Sequence, residues 1–473
     1  MKLVLVRPPF YSLFGVTTPK MKTYPLNLLY LATFVEKTGK HSVSIVDGEC
    51  VKGAGPRSSE LSKEDPETIM HNSIPRMIEI LNNPNHSLWS EIEAQILSYE
   101  PDIVGITCNS GSMDTVKLIT HKLKLNGLPV ILGGSHPTVL PEQSLNYTGA
   151  DFAVIGEGET TLLELIDSLN SPNALERIGS LARRHTNGRI SVNPRGSLIK
   201  DINVLPIPDR SFIDRRQYFG EVVMTGRGCP FNCAYCASRN IWGKQTRLRS
   251  VDSIITELNG LRNDAFNDEG GLDRPGCWVV KVLDDTFTVV KKRTIELLDR
   301  IISEKLNCFE FTGGVRADTL DETLVSKMRE ANFKRVTLGV ESGSPRILQM
   351  IRKGETNEDV KRAFNFLKKA GIKTHAFFMI GLPEETPEDI ELSKKLILEI
   401  EPDHIEVNMV TPYPGTELFE KLISDPPEKI DRWYRWIHQG MATHSDRLGY
   451  DLDEAYKDFL AFAKDYHQTR SKS

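Results

Sequence analysis

Short β-branched strands alternate with helical patterns through two long stretches of this chain, and no other feature limits its fold as strongly. In the first stretch the strands read Lys2–Val6, Ser42–Val46, Ile103–Thr107, Val130–Leu132 and Phe152–Ile155. Helices read Leu26–Lys37, Met113–Leu125 and a segment running to Leu169. Nearly continuous apolar strands separated by helices predict a parallel sheet covered on both faces, here an open doubly wound α/β domain over residues 1–170. Ligands of such a sheet sit at the carboxyl ends of its strands. Those ends are rich in Gly, Ser, Thr and Asn, which let a ligand approach the backbone closely. Residues 48–66 read as an irregular surface insertion.

The second stretch, residues 221–424, carries strands at Val222–Thr225, Trp278–Leu283, Phe309–Thr312, Val336–Val340, Thr374–Ile380 and His404–Val410, with helices between them. Six such units are fewer than the eight that close a barrel. A partial (βα)6 barrel of the TIM type follows, with its active site at the strand C-termini. Between the two stretches, residues 171–220 read as a connector. There Asn187-Gly188 marks a hairpin, and Leu205-Pro206-Ile207-Pro208 marks an extended linker. Residues 425–473 read as a helical region with Trp433, Tyr434 and Trp436.

Three of the seven Cys fall in Cys229-Pro230-Phe231-Asn232-Cys233-Ala234-Tyr235-Cys236, just after the first strand of the second stretch. With 39% hydrophobic and 26% charged residues the chain can build packed cores, and the net charge of −5 argues against a nucleic-acid partner. Met1–Val6 is too short for a signal peptide, and no apolar run reaches the roughly 18 residues of a membrane span. The expected location is cytoplasmic, where a disulfide scaffold is rare and a metal or redox site explains clustered Cys better. Three thiolates on one tight loop can hold three corners of an iron–sulfur cube and leave the fourth iron open. Structural zinc needs four closed ligands. After Cys236 the next Cys is Cys277 and the next His is His375, so no paired half-site appears.

This C-x3-C-x2-C loop on a partial barrel resembles the radical S-adenosylmethionine (SAM) superfamily. The resemblance implies a 4Fe-4S cluster on Cys229, Cys233 and Cys236, with SAM on the open iron. It implies further SAM contacts residue by residue. Tyr235 would lie near the adenine. Asp284 and Asp285 would meet the amino group, although Leu283-Asp284-Asp285 departs from the family's Gly-Gly-Glu. Arg316 follows the third strand, and Glu341-Ser342 end the fourth, where the family often has a ribose contact. Gly381, in Met379-Ile380-Gly381-Leu382-Pro383, matches the adenine-side segment. Read blandly, the acids cap helices and Arg316 pairs with Asp318. The basic run Arg239, Lys244, Arg247 and Arg249 either offsets cluster or substrate charge or forms a solvated face.

A doubly wound domain ahead of such a barrel resembles the cobalamin-binding subgroup, whose N-terminal domain is Rossmann-like. Matching positions are Pro8, Tyr24, Thr107, Ser110, Gly133, Gly134, His136, Gly156, Glu157, Gly158 and Glu159, all at predicted strand ends. A dinucleotide site is the rival, but the third Gly of G-x-G-x-x-G is missing after Gly158. Many cobalamin domains carry Asp-x-His-x-x-Gly. Of eleven His only His467 has Asp two before it, and Arg470 stands at the Gly position. The resemblance therefore implies cobalamin without a His ligand from that motif, with His136 a hydrogen-bonding residue.

Together the resemblances imply a cobalamin-dependent radical SAM methyltransferase. A 5′-deoxyadenosyl radical would activate an unactivated carbon or phosphorus centre of a small molecule, which would then take a methyl from methylcobalamin. An external flavodoxin- or ferredoxin-like donor would supply electrons. No membrane or nucleic-acid partner is expected. The alternatives are a non-methylating oxidative cyclase or ring-rearranging enzyme and, from another class, a non-catalytic cobalamin or metal sensor.

Overall fold

Strands β1 (Lys2–Arg7), β2 (Ser42–Asp47), β3 (Ile103–Thr107), β4 (Val130–Gly133) and β5 (Phe152–Val154) form a parallel sheet in the order β2-β1-β3-β4-β5. The computed structural model describes residues 1–15, 22–51, 73–267, 278–437 and 443–470. Leu3, Val4, Leu5 and Val6 are all buried, as a strand covered on both faces requires. The sequence reading ends this sheet at β5, but the structure adds β6 (Leu181–Arg184) and β7 (Ile190–Val192) in antiparallel pairing. The hairpin expected as a connector thus covers the edge of β5, which would otherwise present unpaired backbone groups. Gly188 at φ +82 supplies the left-handed turn residue.

Two further helices, Ile74–Asn82 and Ser87–Leu97, precede β3. The expected insertion begins buried rather than irregular. Asp47 caps Glu49, and Glu49 in turn accepts from the backbone of Phe10, Tyr11 and Ser12. Residues 52–66 lie outside the described residues.

The second sheet is built from β8 (Glu221–Val223), β11 (Val279–Val282), β12 (Glu310–Val315), β13 (Phe333–Glu341), β14 (Lys373–Ile380) and β15 (His404–Met409). It has the order β15-β14-β13-β12-β11-β8 and is parallel throughout. A two-stranded ribbon, β9 (Gly226–Arg227) with β10 (Arg247–Leu248), follows β8. Along β14, Thr374, Ala376, Phe378 and Ile380 are buried, while the alternate residues His375, Phe377 and Met379 are only partly so. That alternation is what a helix-covered outer face and an open inner face produce. Five outer helices, Val251–Asn267, Lys291–Ser303, Glu322–Glu330, Asn357–Ala370 and Pro387–Ile400, share one core with the strands. The last two start in Thr–Asp capping boxes.

The chain divides into two compact units. One is Met1–Phe219 with Asn240–Trp242 and Asp425–Trp436; the other is Gly220–Arg239, Gly243–Ser424 and Ile437–Ser473. The aromatic segment after Ser424 therefore packs with the first sheet, and the final helix, Leu452–Arg470, packs with the second. No helix among the described residues is long and apolar enough to cross a membrane.

Candidate functional site

The barrel unit gathers its predicted residues around the loop that leaves β8. Asp285, three residues past the end of β11, ties down both ends of that loop. One oxygen accepts from Gly228 N at 3.0 Å, just before Cys229, and the other from the Ser238 hydroxyl at 3.0 Å, just after Cys236. Asp284 points elsewhere. It accepts from Thr225 N at 2.6 Å and Gly226 N at 3.3 Å, and the Thr225 hydroxyl donates to its other oxygen. Burial pushes its carboxyl up to about 6, against the pull of those donors and Arg293. Both oxygens of each acid are thus engaged within the protein: Asp284 holds Thr225 and Gly226, and Asp285 holds the two ends of the cysteine loop.

The middle of the loop rests on the segment Ile351–Glu355. Ala234 N donates to Ile351 O at 2.8 Å, and Arg352 Nε donates to Asn232 O at 3.2 Å. The Tyr235 hydroxyl donates to Glu341 Oε1 at 2.8 Å, and Lys353 Nζ meets the same oxygen at 3.0 Å. Lys353 also pairs with Glu355 at 3.3 Å. Burial alone would pull the Lys353 ammonium down, but Glu341 and Glu355 outweigh it and hold it above its ordinary value. Arg316 does pair with Asp318, at 2.9 Å, but not at the surface. It is buried, its guanidinium lies 3.6 Å from the Phe231 ring centre, and it donates to Lys353 O. Ser342 is fully buried and accepts from Ser344 N, a turn contact. Arg249 of the basic run is buried against Glu257, so its charge is neutralised locally.

Gly381 has φ +86, and both of its backbone groups are taken. Its N–H donates to Glu385 Oε2 at 2.7 Å, and its carbonyl accepts from His444 Nε2 at 2.8 Å. Tyr450 donates to the same Glu385 oxygen at 2.8 Å. Burial pushes the Glu385 carboxyl up to about 7.

Burial raises the Cys233 thiol, and burial together with Cys233, Asp285 and Cys229 raises Cys236 to about 11. Such thiols ionise when a metal compensates the charge. Among the described residues no three His, Cys, Asp or Glu side chains converge on a point that could hold a single ion. Zinc needs its donors within about 2.3 Å of one centre. An iron–sulfur cube offers each thiolate its own iron, so the donor set fits the cube better.

The first unit presents a different surface. His136 is buried with both ring nitrogens occupied, Nδ1 at 2.9 Å from the Ser110 hydroxyl and Nε2 at 2.9 Å from Gln143 Oε1. Burial lowers it to about 4, so the ring is neutral. Its hydrogen bonds are to side chains, and neither nitrogen is left to ligate cobalt. Trp433 packs edge-on against it at 4.4 Å. Tyr24 is buried and accepts from Arg210 at 3.0 Å, Thr107 accepts from Asn27 at 3.2 Å, and Glu157 accepts from Ile199 N at 2.8 Å. Pro8 follows β1 and is buried. Gly156, at φ +78, donates to Thr138, and Glu159 opens the helix Glu159–Ser168. A Cβ on Gly158 would press on Leu31 at 3.1 Å. Gly134, at φ +114, lies where a Cβ would meet Cys108 O at 2.4 Å, so its glycine is structural. A Cβ on Gly133 would meet nothing within 4 Å. That open backbone at the end of β4 fits a ligand that packs by shape.

Sequence reasoning missed Lys353, Glu355, Glu385, His444 and Tyr450. Each becomes visible only when distant segments meet; charged or aromatic residues beside Gly354 and Gly381 were the available signal.

Residues 223–397 match the radical SAM superfamily, and residues 13–166 match the B12 binding domain. An uncharacterized methyltransferase of Pyrococcus horikoshii is 34% identical over 90% of this chain and 84% of its own length. An anaerobic magnesium-protoporphyrin IX monomethyl ester cyclase of Rubrivivax gelatinosus is 27% identical over 79% of this chain and 67% of its own. Among solved structures, the radical S-adenosylmethionine methyltransferase TsrM of Kitasatospora setae, with cobalamin and a 4Fe-4S cluster bound, covers 98% of this chain and 90% of its own at TM-score 0.69. At 17% identity, that likeness speaks to the fold.

Proposed function

The chain belongs to the B12-binding radical SAM enzymes, and from that premise we propose that it is a methyltransferase acting on an unactivated carbon or phosphorus centre of a small-molecule substrate. The family's cofactors are a 4Fe-4S cluster, SAM and cobalamin. When bound, cluster and SAM supply a 5′-deoxyadenosyl radical, and cobalamin carries a methyl group. Cys229, Cys233 and Cys236 would hold the cluster, on a loop whose two ends Asp285 fixes. Glu341 would face the ribose, and Tyr235 and the segment at Gly381 the adenine. Gly133 and its neighbouring strand ends would bed the cobalamin. No general acid or base is obligatory; the chain's task is to orient the reacting groups and exclude water. An external flavodoxin- or ferredoxin-like protein would supply the electron.

The observation that carries this reading is the methyltransferase relative at 34% identity, which this chain matches over 84% of its length. Anaerobic reconstitution with iron, sulfide and cobalamin, followed by assay for 5′-deoxyadenosine and S-adenosylhomocysteine, tests it. Both products together support methyl transfer. The cyclase relative favours a second reading, oxidative or ring-rearranging chemistry, for which 5′-deoxyadenosine appears without S-adenosylhomocysteine. Cobalamin binding with no SAM cleavage under reducing conditions would leave a sensor.

A further inference from the structure

We infer that Lys353 is a positioning residue that, with the Tyr235 hydroxyl, holds one oxygen of Glu341 and leaves the other to accept from a ligand hydroxyl. This rests on the reading of Glu341 as the ribose contact, and it names what fixes that contact.

Glu341 ends β13 at φ +67, a left-handed conformation uncommon for a residue other than glycine. The pairing of β13 with β14 shifts register at the same point, between Gly339 and Glu341. The carboxylate folds back over Gly339. A Cβ there would stand 2.3 Å from Glu341 Oε1 and 3.1 Å from Lys353 Nζ, so the pair occupies the space a side chain would fill. Tyr235 Oη at 2.8 Å and Lys353 Nζ at 3.0 Å both address Oε1. Among the described residues, no hydrogen bond uses Oε2, and the Glu341 side chain is 10% exposed, so this second oxygen is an acceptor that a ligand can reach.

Lys353 can fix that choice because it is itself fixed. Its ammonium lies between Glu341 and Glu355, and Glu355 is anchored by Ala317 N at 2.6 Å and Asp318 N at 3.3 Å. Its backbone is pinned as well, since Lys353 O accepts from Arg316. Removing this cation would leave two carboxylates short of a buried partner, and Glu341 would turn toward whatever donor remained. Tyr235 sits between two cluster-ligating positions. The same contact therefore links the thiolate loop to the ligand-facing oxygen.

The test is equilibrium binding of SAM, and of its 2′-deoxy and 3′-deoxy analogues, to the full-length enzyme reconstituted with its cluster. The wild type should prefer SAM to at least one analogue by about tenfold, the discrimination expected when a buried polar partner is left unpaired. Glu341→Gln should abolish most of that preference. Lys353→Met, at unchanged iron and sulfide content, should abolish it to a similar degree. A preference that survives Lys353→Met but not Glu341→Gln overturns the inference and spares the ribose reading. A wild type with no preference, or one that Glu341→Gln leaves intact, overturns the ribose reading itself. Where Lys353→Met fails to take up the cluster, Tyr235→Phe decides, since it removes one hydroxyl only. Its loss of preference should vanish in the Glu341→Gln background, and additive losses overturn the coupling.

Discussion

At the carboxyl ends of β8, β11 and β13, charged side chains do the organising. Asp285, Glu341, Lys353, Glu355 and Arg316 bind one another and the cysteine loop. At the carboxyl ends of β3 and β4, the central polar side chain is already taken up within the protein. His136 is closed off by Ser110 and Gln143, and what remains open is backbone at Gly133. The contrast follows from the ligands each end would take. Thiolates on iron need fixed directions and compensated charge, whereas a large, mostly neutral macrocycle is recognised by fitted surface. A region that works by side-chain chemistry should fail when a functional group is removed. A region that works by shape should fail when an atom is added.

The largest expected effect is on the barrel side. Cys229→Ala, Cys233→Ala or Cys236→Ala should each lose the cluster and all SAM cleavage, read by iron content and 5′-deoxyadenosine. Normal turnover in a verified cluster-free variant would end the radical reading. Next comes an added atom in the other unit. Gly134→Ala would force a Cβ to within 2.4 Å of Cys108 O at φ +114. It should cost about 4 kcal/mol of stability, measured by denaturant melting. A near-neutral result would show that this strand end is softer than its geometry.

The third test is a pH profile. The Glu385 carboxyl is raised to about 7 in the folded chain, so the native state holds its proton more tightly than the unfolded state. Stability should fall as pH rises from roughly 4.3 to 7, by on the order of 3 kcal/mol, and Glu385→Gln should flatten that slope. An unchanged slope would mean that other groups set it. The smallest effect sharpens the comparison most. Gly133→Ala meets no neighbouring atom, so stability should move by less than about 0.5 kcal/mol while retention of cobalamin drops. Full retention would remove Gly133 from the cradle.

The first sheet was legible in the sequence because parallel strands buried on two faces read as unbroken apolar runs, as in Leu3–Val6 and Val104–Ile106, and the second because six strands alternate with helical patterns. The cysteine loop was legible because its spacing is local. The hairpin's membership of the first sheet was not, since Leu181–Arg184 carries no mark of which edge it will cover. The partners Lys353 and Glu355 were also hidden, because their roles rest on contacts with residues 12 to 118 positions away. Asp284 and Asp285 are the instructive pair. They are adjacent and chemically identical, yet beyond the end of β11 one holds Thr225 and Gly226 and the other the two ends of the cysteine loop, which the letters alone do not separate.

The division of the chain into units has a consequence for how the molecule is made. The first unit is incomplete at Phe219, because Asp425–Trp436 belongs to it and puts Trp433 against His136. At a ribosomal rate of about 5–20 residues per second, those residues emerge roughly 10–40 seconds after the rest of that unit. The half that is synthesised first is therefore among the last parts finished. For that interval the nascent chain carries His136 without its aromatic cover.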